Sequence, residues 1–231
     1  DIVDVESDRK HPLKCKRPIA SGAMATGLGR WVSLVAISGS TLGAFAISKL
    51  FGFVALGYLA LQLAYTFRLK HEVIIDTFCI AASFFLRVIG GACAISVEVS
   101  PWLLVCTFFL SLFLALSKRR HEVLLLQASA QGHRKVLRKY SVPLLDQMIS
   151  VVTAGVVVSY SVYTLSPATV ARFGTTNLVY TIPFVLYGVY RYFYLVHMKE
   201  LGGSPETALL TDKPLLINIV LYSIVVGIVL Y

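Results

Sequence analysis

Residues 102–116 read WLLVCTFFLSLFLAL, a run without a single charge that is apolar around every face of a helix. A segment of this kind has no polar side to turn toward water, so it belongs inside a bilayer or in the deep interior of a large protein. Crossing ~30 Å of hydrocarbon takes about 20 helical residues. Comparable runs recur at 28–48, 50–67, 73–95, 101–117, 142–165, 178–198 and 215–231. The sequence therefore predicts seven transmembrane helices. A chain of 231 residues that is 57% hydrophobic and 14% charged has too little polar surface to cover such spans in water. Membrane-spanning strands would instead alternate in segments of about ten residues. The expected fold class is an all-α polytopic membrane protein, with 1–231 forming one transmembrane domain.

Charge orients the spans. Basic residues gather at the start of the chain (Arg9, Lys10, Lys14, Lys16, Arg17), in the 68–72 turn (Arg68, Lys70), in the 118–139 loop and in the 199–214 loop (Lys199, Lys213), whereas the intervening loops hold only Lys49 and Arg172. The bias of Lys and Arg toward the cytoplasmic side puts the first set inside a plasma (inner) membrane. The histidines fall on that side too. The outer loops SVEVS and SPATVARFGTT are chemically plain, so the active site is expected on the cytoplasmic face, in 1–18, 65–76, 115–139 and 199–214. The bases are spread over membrane-flanking loops and form no nucleic-acid module, so no nucleic-acid partner is expected. Cys15, Cys79, Cys93 and Cys106 lack any metal-ligand spacing and read as small packing residues.

The opening DIVDVESDRKHPLKCKRPIASG sets Asp1, Asp4 and Asp8 at D-x-x-D-x-x-x-D spacing. On a helix these offsets bring carboxylates to one face. Such a cluster has two readings. It is either a solvated juxtamembrane helix whose acids pair with Arg9 and Lys10, or a holder for a hard divalent cation such as Mg²⁺, which takes carboxylates together with substrate phosphate oxygens. The cations of KHPLKCKRP follow at once, with Pro12 and Pro18 breaking the helix into a turn. Acids for a metal and bases for phosphate oxygens together suit the grip on a diphosphate.

This stretch resembles the first aspartate-rich signature of the UbiA superfamily of intramembrane prenyltransferases, N-D-x-x-D-x-x-x-D, without its leading Asn. The resemblance extends over all 231 residues. It implies a UbiA-type bundle of nine transmembrane helices in which this signature closes the second. Seven would then be visible here and two would lie upstream, in keeping with a chain that does not begin with Met. It also implies that Asp1, Asp4 and Asp8 bind Mg²⁺ and act with Lys70 as the catalytic set. Tyr65 and Lys70 of YTFRLKHEVIID are then phosphate contacts, joined by Lys14, Lys16 and Arg17. Asp76, one turn into the next span, needs a partner, because an unpaired carboxylate there costs several kcal/mol.

Superfamily members that alkylate aromatic rings carry a second aspartate-rich motif after the sixth helix. Here that stretch is ALSKRRHEVLLL, with Lys118, Arg119 and Arg120 in place of acids, followed by His121 and Glu122. The exchange turns a metal-holding site into an anion-holding one, since Arg grips phosphate bidentately. This pattern is similar to the branch of polyprenyl-phosphate (decaprenyl-phosphate) phosphoribosyltransferases. It implies phosphoribosyl diphosphate (PRPP) and a polyprenyl monophosphate as substrates, pyrophosphate as a product, and lipid-linked pentose for cell-envelope polysaccharide as the destination. Lys118, Arg119, Arg120 and Glu122 would be substrate contacts, the cations holding the 5-phosphate or the lipid phosphate. Arg191, among Tyr187, Tyr190, Tyr192 and Tyr194, is a further candidate contact.

Arg87 is expected to pair inside the bundle with Asp76 or Asp146, Gly90 and Gly91 to allow close helix packing, and 122–139 to form a short surface helix. Two alternatives stand beside the main reading: a UbiA-type enzyme using an isoprenyl diphosphate donor on an aromatic or glycerol-phosphate acceptor, and a non-enzymatic anion transporter. The first lacks its second acidic motif. The second lacks the internal repeat and midplane polar site of many transporters. A homo-oligomer is left open.

Overall fold

The computed structural model describes residues 2–9, 14–128, 137, 139–199, 201–203 and 205–230. Among these residues the chain is helical and contains no strand. A short helix, α1 (Val5–Arg9), precedes α2 (Thr26–Ile47), α3 (Lys49–Phe67), α4 (Ile75–Ala94), α5 (Pro101–Ala128), α6 (Val142–Leu165), α7 (Pro167–Phe173), α8 (Ile182–Met198), α9 (Pro205–Thr211) and α10 (Lys213–Leu230). Six of these, α2 to α6 and α10, are long and apolar enough to cross a membrane. The remaining expected span, α8, has 17 helical residues and is preceded by a 3-10 turn at Asn177–Thr181.

Consecutive long helices pack on one another from α2 through α6, and α8 packs against α6 and α10. The core lies among α5, α6 and α8, where Phe113, Leu116, Leu145, Ile149, Leu195 and Val196 are fully buried. Trp31, Val35 and Leu42 of α2, by contrast, are about as open as side chains on an isolated helix. Such a surface is stable against hydrocarbon and not against water. The chain is a multi-pass membrane protein.

Local chemistry sets the helix ends. Ser141 caps α6 by accepting the Leu144 N–H, with Pro143 in the first turn, and Ser166 caps α7 by accepting that of Thr169, with Pro167 leading. These are the preferred residue types at those positions. Gly90 lets α4 approach Phe51 of α3, where an added Cβ would sit 3.3 Å from the ring. Gly91, expected to do the same, faces open space.

The largest departure from the sequence reading is in α5. The span does not stop at 117, and 122–128 does not form a separate surface helix. α5 continues unbroken to Ala128. Lys, Arg and Glu end a hydrophobic run but are good helix formers, and both arginines are drawn inward by acids on neighbouring helices. Residues 129–136 and 138, which complete the expected surface helix, lie outside the described residues.

Candidate active site

At one end of the bundle the first carboxylates meet the turn between α3 and α4. Asp4 and Asp8 lie one helical turn apart, the Asp8 N–H donating to the Asp4 carbonyl at 2.8 Å. Lys70, in the 3-10 turn Leu69–His71, is 5% exposed, and its Nζ lies 2.6 Å from Asp4 Oδ1. Asp8 is buried, and the Arg17 guanidinium donates to its Oδ2 at 2.8 Å. Of the acids and bases named in this region, Asp4 thus meets Lys70 and Asp8 meets Arg17. Arg9 goes elsewhere, to Glu6 and to the Ala20 carbonyl. Lys16 is exposed to solvent. Lys14 begins the Lys14–Lys16 turn. Asp1, the first of the expected metal ligands, lies outside the described residues.

A second cluster adjoins the same turn. Asp76 at the start of α4 is fully buried and receives two donors: Arg119 Nε at 2.6 Å and the Tyr140 hydroxyl at 2.7 Å. Arg119, itself 3% exposed, also binds Glu122 on its own helix and reaches the Tyr65 hydroxyl at 3.3 Å. Burial and its donation to Asp76 push the Tyr140 phenol above its ordinary pKa, so it remains a donor throughout the neutral range.

A third group lies on the other side of α5. Arg120 Nε donates to Asp146 at 2.6 Å, and His197 Nε2 lies 3.1 Å from the same oxygen, tying α5, α6 and α8 together. The fourth is Arg191, whose guanidinium grips Asp212 bidentately at 2.9 and 2.8 Å while lying over the Tyr194 ring.

The expected contacts therefore divide. Lys118 is exposed, whereas Arg119, Arg120 and Arg191 are committed to internal carboxylates. Arg87 does not pair with Asp76 or Asp146, which are occupied by Arg119 and Arg120. It donates to the Tyr58 hydroxyl at 2.7 Å and lies over the Tyr58 and Phe84 rings. From sequence, Asp76 was known to need a partner but not which one. Tyr140, His197 and Asp212 gave no local signal, because their contacts join positions 64, 51 and 21 residues apart.

The donor set at α1 fits a hard divalent cation. Two carboxylates one turn apart, beside cations able to face phosphate oxygens, are what such a site uses. Among the described residues no group of three His, Cys, Asp or Glu side chains converges on one point, so a metal there would complete its shell from substrate and water.

Residues 1–210 match the family model of the UbiA prenyltransferases. The chain belongs to the UbiA prenyltransferase family. Members of this family generally use divalent metal ions. Among curated relatives, a decaprenyl-phosphate phosphoribosyltransferase of Mycobacterium tuberculosis is 33% identical over 93% of this chain and 70% of its own length. Enzymes of the same name from Corynebacterium glutamicum (35% identical, 93% of this chain, 65% of the relative) and Mycolicibacterium smegmatis (29%, 100% and 74%) are similar to it as well. The family match spans α1, the Lys70 turn and the basic end of α5 alike.

Proposed function

We propose that this protein transfers the 5-phosphoribosyl group of PRPP to a polyprenyl monophosphate, decaprenyl phosphate by its relatives' names, with release of pyrophosphate. The observation that carries this reading is the sign of charge at the end of α5: Lys118, Arg119 and Arg120 stand where a prenyl-diphosphate enzyme would carry a second set of acids. Similarity to phosphoribosyltransferases along nearly the whole chain supports it.

In this reading an oxygen of the lipid phosphate attacks the anomeric carbon of the ribose, and the bond to the diphosphate breaks with its electron pair leaving on pyrophosphate. A phosphate monoester is already anionic near neutral pH, so the nucleophile needs placement more than a base. Asp4 and Asp8, with Asp1, would hold Mg²⁺, which when bound neutralises diphosphate charge. Lys70 and Arg17 exchange Asp4 and Asp8 for diphosphate oxygens, where their charge stabilises the departing group. Lys118 and Lys16, both exposed, receive the 5-phosphate and the lipid phosphate. Arg119 and Arg120, each tied to internal carboxylates, anchor the end of α5 from which Lys118 projects, and Tyr65 and Glu122 orient Arg119. Arg191 serves by holding Asp212.

The acceptor's isoprenoid chain suits an apolar cavity of about 440 Å³ between α5, α6, α8 and α10, lined by residues including Leu110, Phe113, Val156, Val189 and Leu215. The site faces the cytoplasm, where PRPP is made, across the plasma membrane, and the product feeds lipid-linked pentose for envelope polysaccharide such as arabinan.

The test supplies labelled PRPP, polyprenyl phosphate and Mg²⁺ to membranes containing the protein and follows label into the lipid phase. Transfer abolished by EDTA, restored by Mg²⁺ and lost in Asp4→Ala is the expected result. Transfer from an isoprenyl diphosphate to an aromatic acceptor, with none from PRPP, would overturn the reading.

A further inference from the structure

Between Lys70 and Asp76 the backbone makes a turn that an isoleucine resists. Ile74 has φ +69° and ψ −46°, and the Ile75 N–H donates to the Val73 carbonyl at 2.8 Å. This is the tight γ-turn of positive φ, a rare and strained conformation, and a β-branched residue is among the least suited to its centre. Strain of this kind persists only where the surroundings over-determine it, and it gathers at functional sites.

The surroundings here converge on one hydroxyl. Tyr140 Oη accepts the Ile74 N–H at 2.6 Å and donates its own proton to Asp76 Oδ1 at 2.7 Å. It therefore holds the centre of the turn and the first buried acid of α4 at once. Thr77 adds a bond from its hydroxyl to the Ile74 carbonyl at 2.8 Å, but that bond is internal to the turn. Tyr140 comes from the segment before α6, 66 positions from Ile74, and is 5% exposed. What it fixes lies on both sides: Lys70 against Asp4 on one, Asp76 against Arg119 on the other.

We propose that Tyr140 is a positioning residue. Its hydroxyl keeps the strained turn at Ile74 closed, and the turn in turn sets Lys70 in the place from which it acts on substrate phosphates and Arg119 in the place from which it anchors the end of α5. The importance of those two cations for transfer rests on the function proposed above; the mechanical link from Tyr140 to Lys70 does not.

The experiment compares wild type, Tyr140→Phe, Ile74→Gly and the double variant in lipid nanodiscs. One readout is the rate at which an amine-reactive reagent labels Lys70 relative to exposed Lys118; the other is kcat and KM for PRPP. Phe keeps the ring and loses the hydroxyl. Gly adopts the turn without strain, and so removes the need for the hydroxyl at the turn, while the bond to Asp76 is unchanged by it. Tyr140→Phe should raise relative Lys70 labelling and lower kcat, each by about tenfold, as expected for a displaced catalytic group. In the Ile74→Gly background the same change should alter both by less than about threefold, because coupled sites depart from additivity. An equal effect in both backgrounds, or none in either, overturns the proposal. Should Tyr140→Phe alone fail to fold, recovery of a folded double variant supports the proposal, and failure of the double variant too overturns it. Absence of PRPP transfer by the wild type would sink the functional reading, while the labelling would still decide the role of Tyr140.

Discussion

Lys70 Nζ and Asp4 Oδ1 lie 2.6 Å apart although 66 positions separate them in the chain, and Lys70 is 5% exposed while the Asp4 side chain is 37% exposed. The pair ties the short acidic helix to the α3–α4 turn. In the function proposed above it brings together the two residue types that a diphosphate and its metal need: a carboxylate open enough to accept a metal, and a cation behind it. Lys70→Ala should lower kcat/KM for PRPP by about 10²-fold or more, the usual loss when one preorganised charge at a leaving group is removed. Asp4→Ala and the double variant measured alongside should be far from additive, since the two act as a unit. Independent, additive losses would show that the two do not act as a pair.

The Arg119–Asp76 pair makes a different prediction, because both members are buried. Removing Arg119 strands the Asp76 charge away from water, and Arg119→Leu should cost about 3–5 kcal/mol of stability. Neutralising the stranded acid with Asp76→Asn in the same chain should restore most of that loss, as followed by thermal unfolding in detergent. Transfer activity should stay low in both. An Arg119→Leu protein as stable as wild type would contradict the assigned burial.

Arg191 and Asp212 give a pH dependence with a definite sign. The hydrogen bonds from Arg191 hold the Asp212 carboxyl below its ordinary value of 3.8. A carboxyl whose pKa is lower in the folded than in the unfolded chain adds stability that is present above the ordinary value and is lost as pH falls through the folded one. Wild-type thermal stability should therefore fall as pH drops below about 4, and Asp212→Asn should flatten that part of the curve. Parallel curves for the two proteins would show that the pair adds nothing in solution.

The 3-10 turn Leu201–Gly203 lies directly on the basic end of α5. A Cβ on Gly202 would stand 2.8 Å from the Ser117 carbonyl oxygen, a backbone atom that cannot swing aside; the nearest atoms to one on Gly203 belong to the His121 ring, a side chain that can move. Gly202→Ala should therefore destabilise by about 1–3 kcal/mol, and Gly203→Ala by less. Equal melting temperatures for the two would mean that the turn gives way as a whole.

The sequence by itself determined that this chain is a bundle of apolar helices, because runs such as 102–116 have no polar face and can satisfy their backbone in a bilayer only as helices. It also determined where the polar groups collect, since charge is excluded from the spans and gathers where the chain leaves them. Tertiary structure alone decided how those charges are used. SKRRHE reads as one cationic stretch, yet the helix turns Arg119 toward Asp76, Arg120 toward Asp146 and Lys118 to solvent. Arg87 settled on a tyrosine hydroxyl because the acids within its reach in sequence were already taken in space. Tyr140 and the turn at Ile74 were invisible for the same reason. A side chain's charge is written in the sequence, but its partner is set by which helices pack together, and that packing joins residues that no local pattern connects.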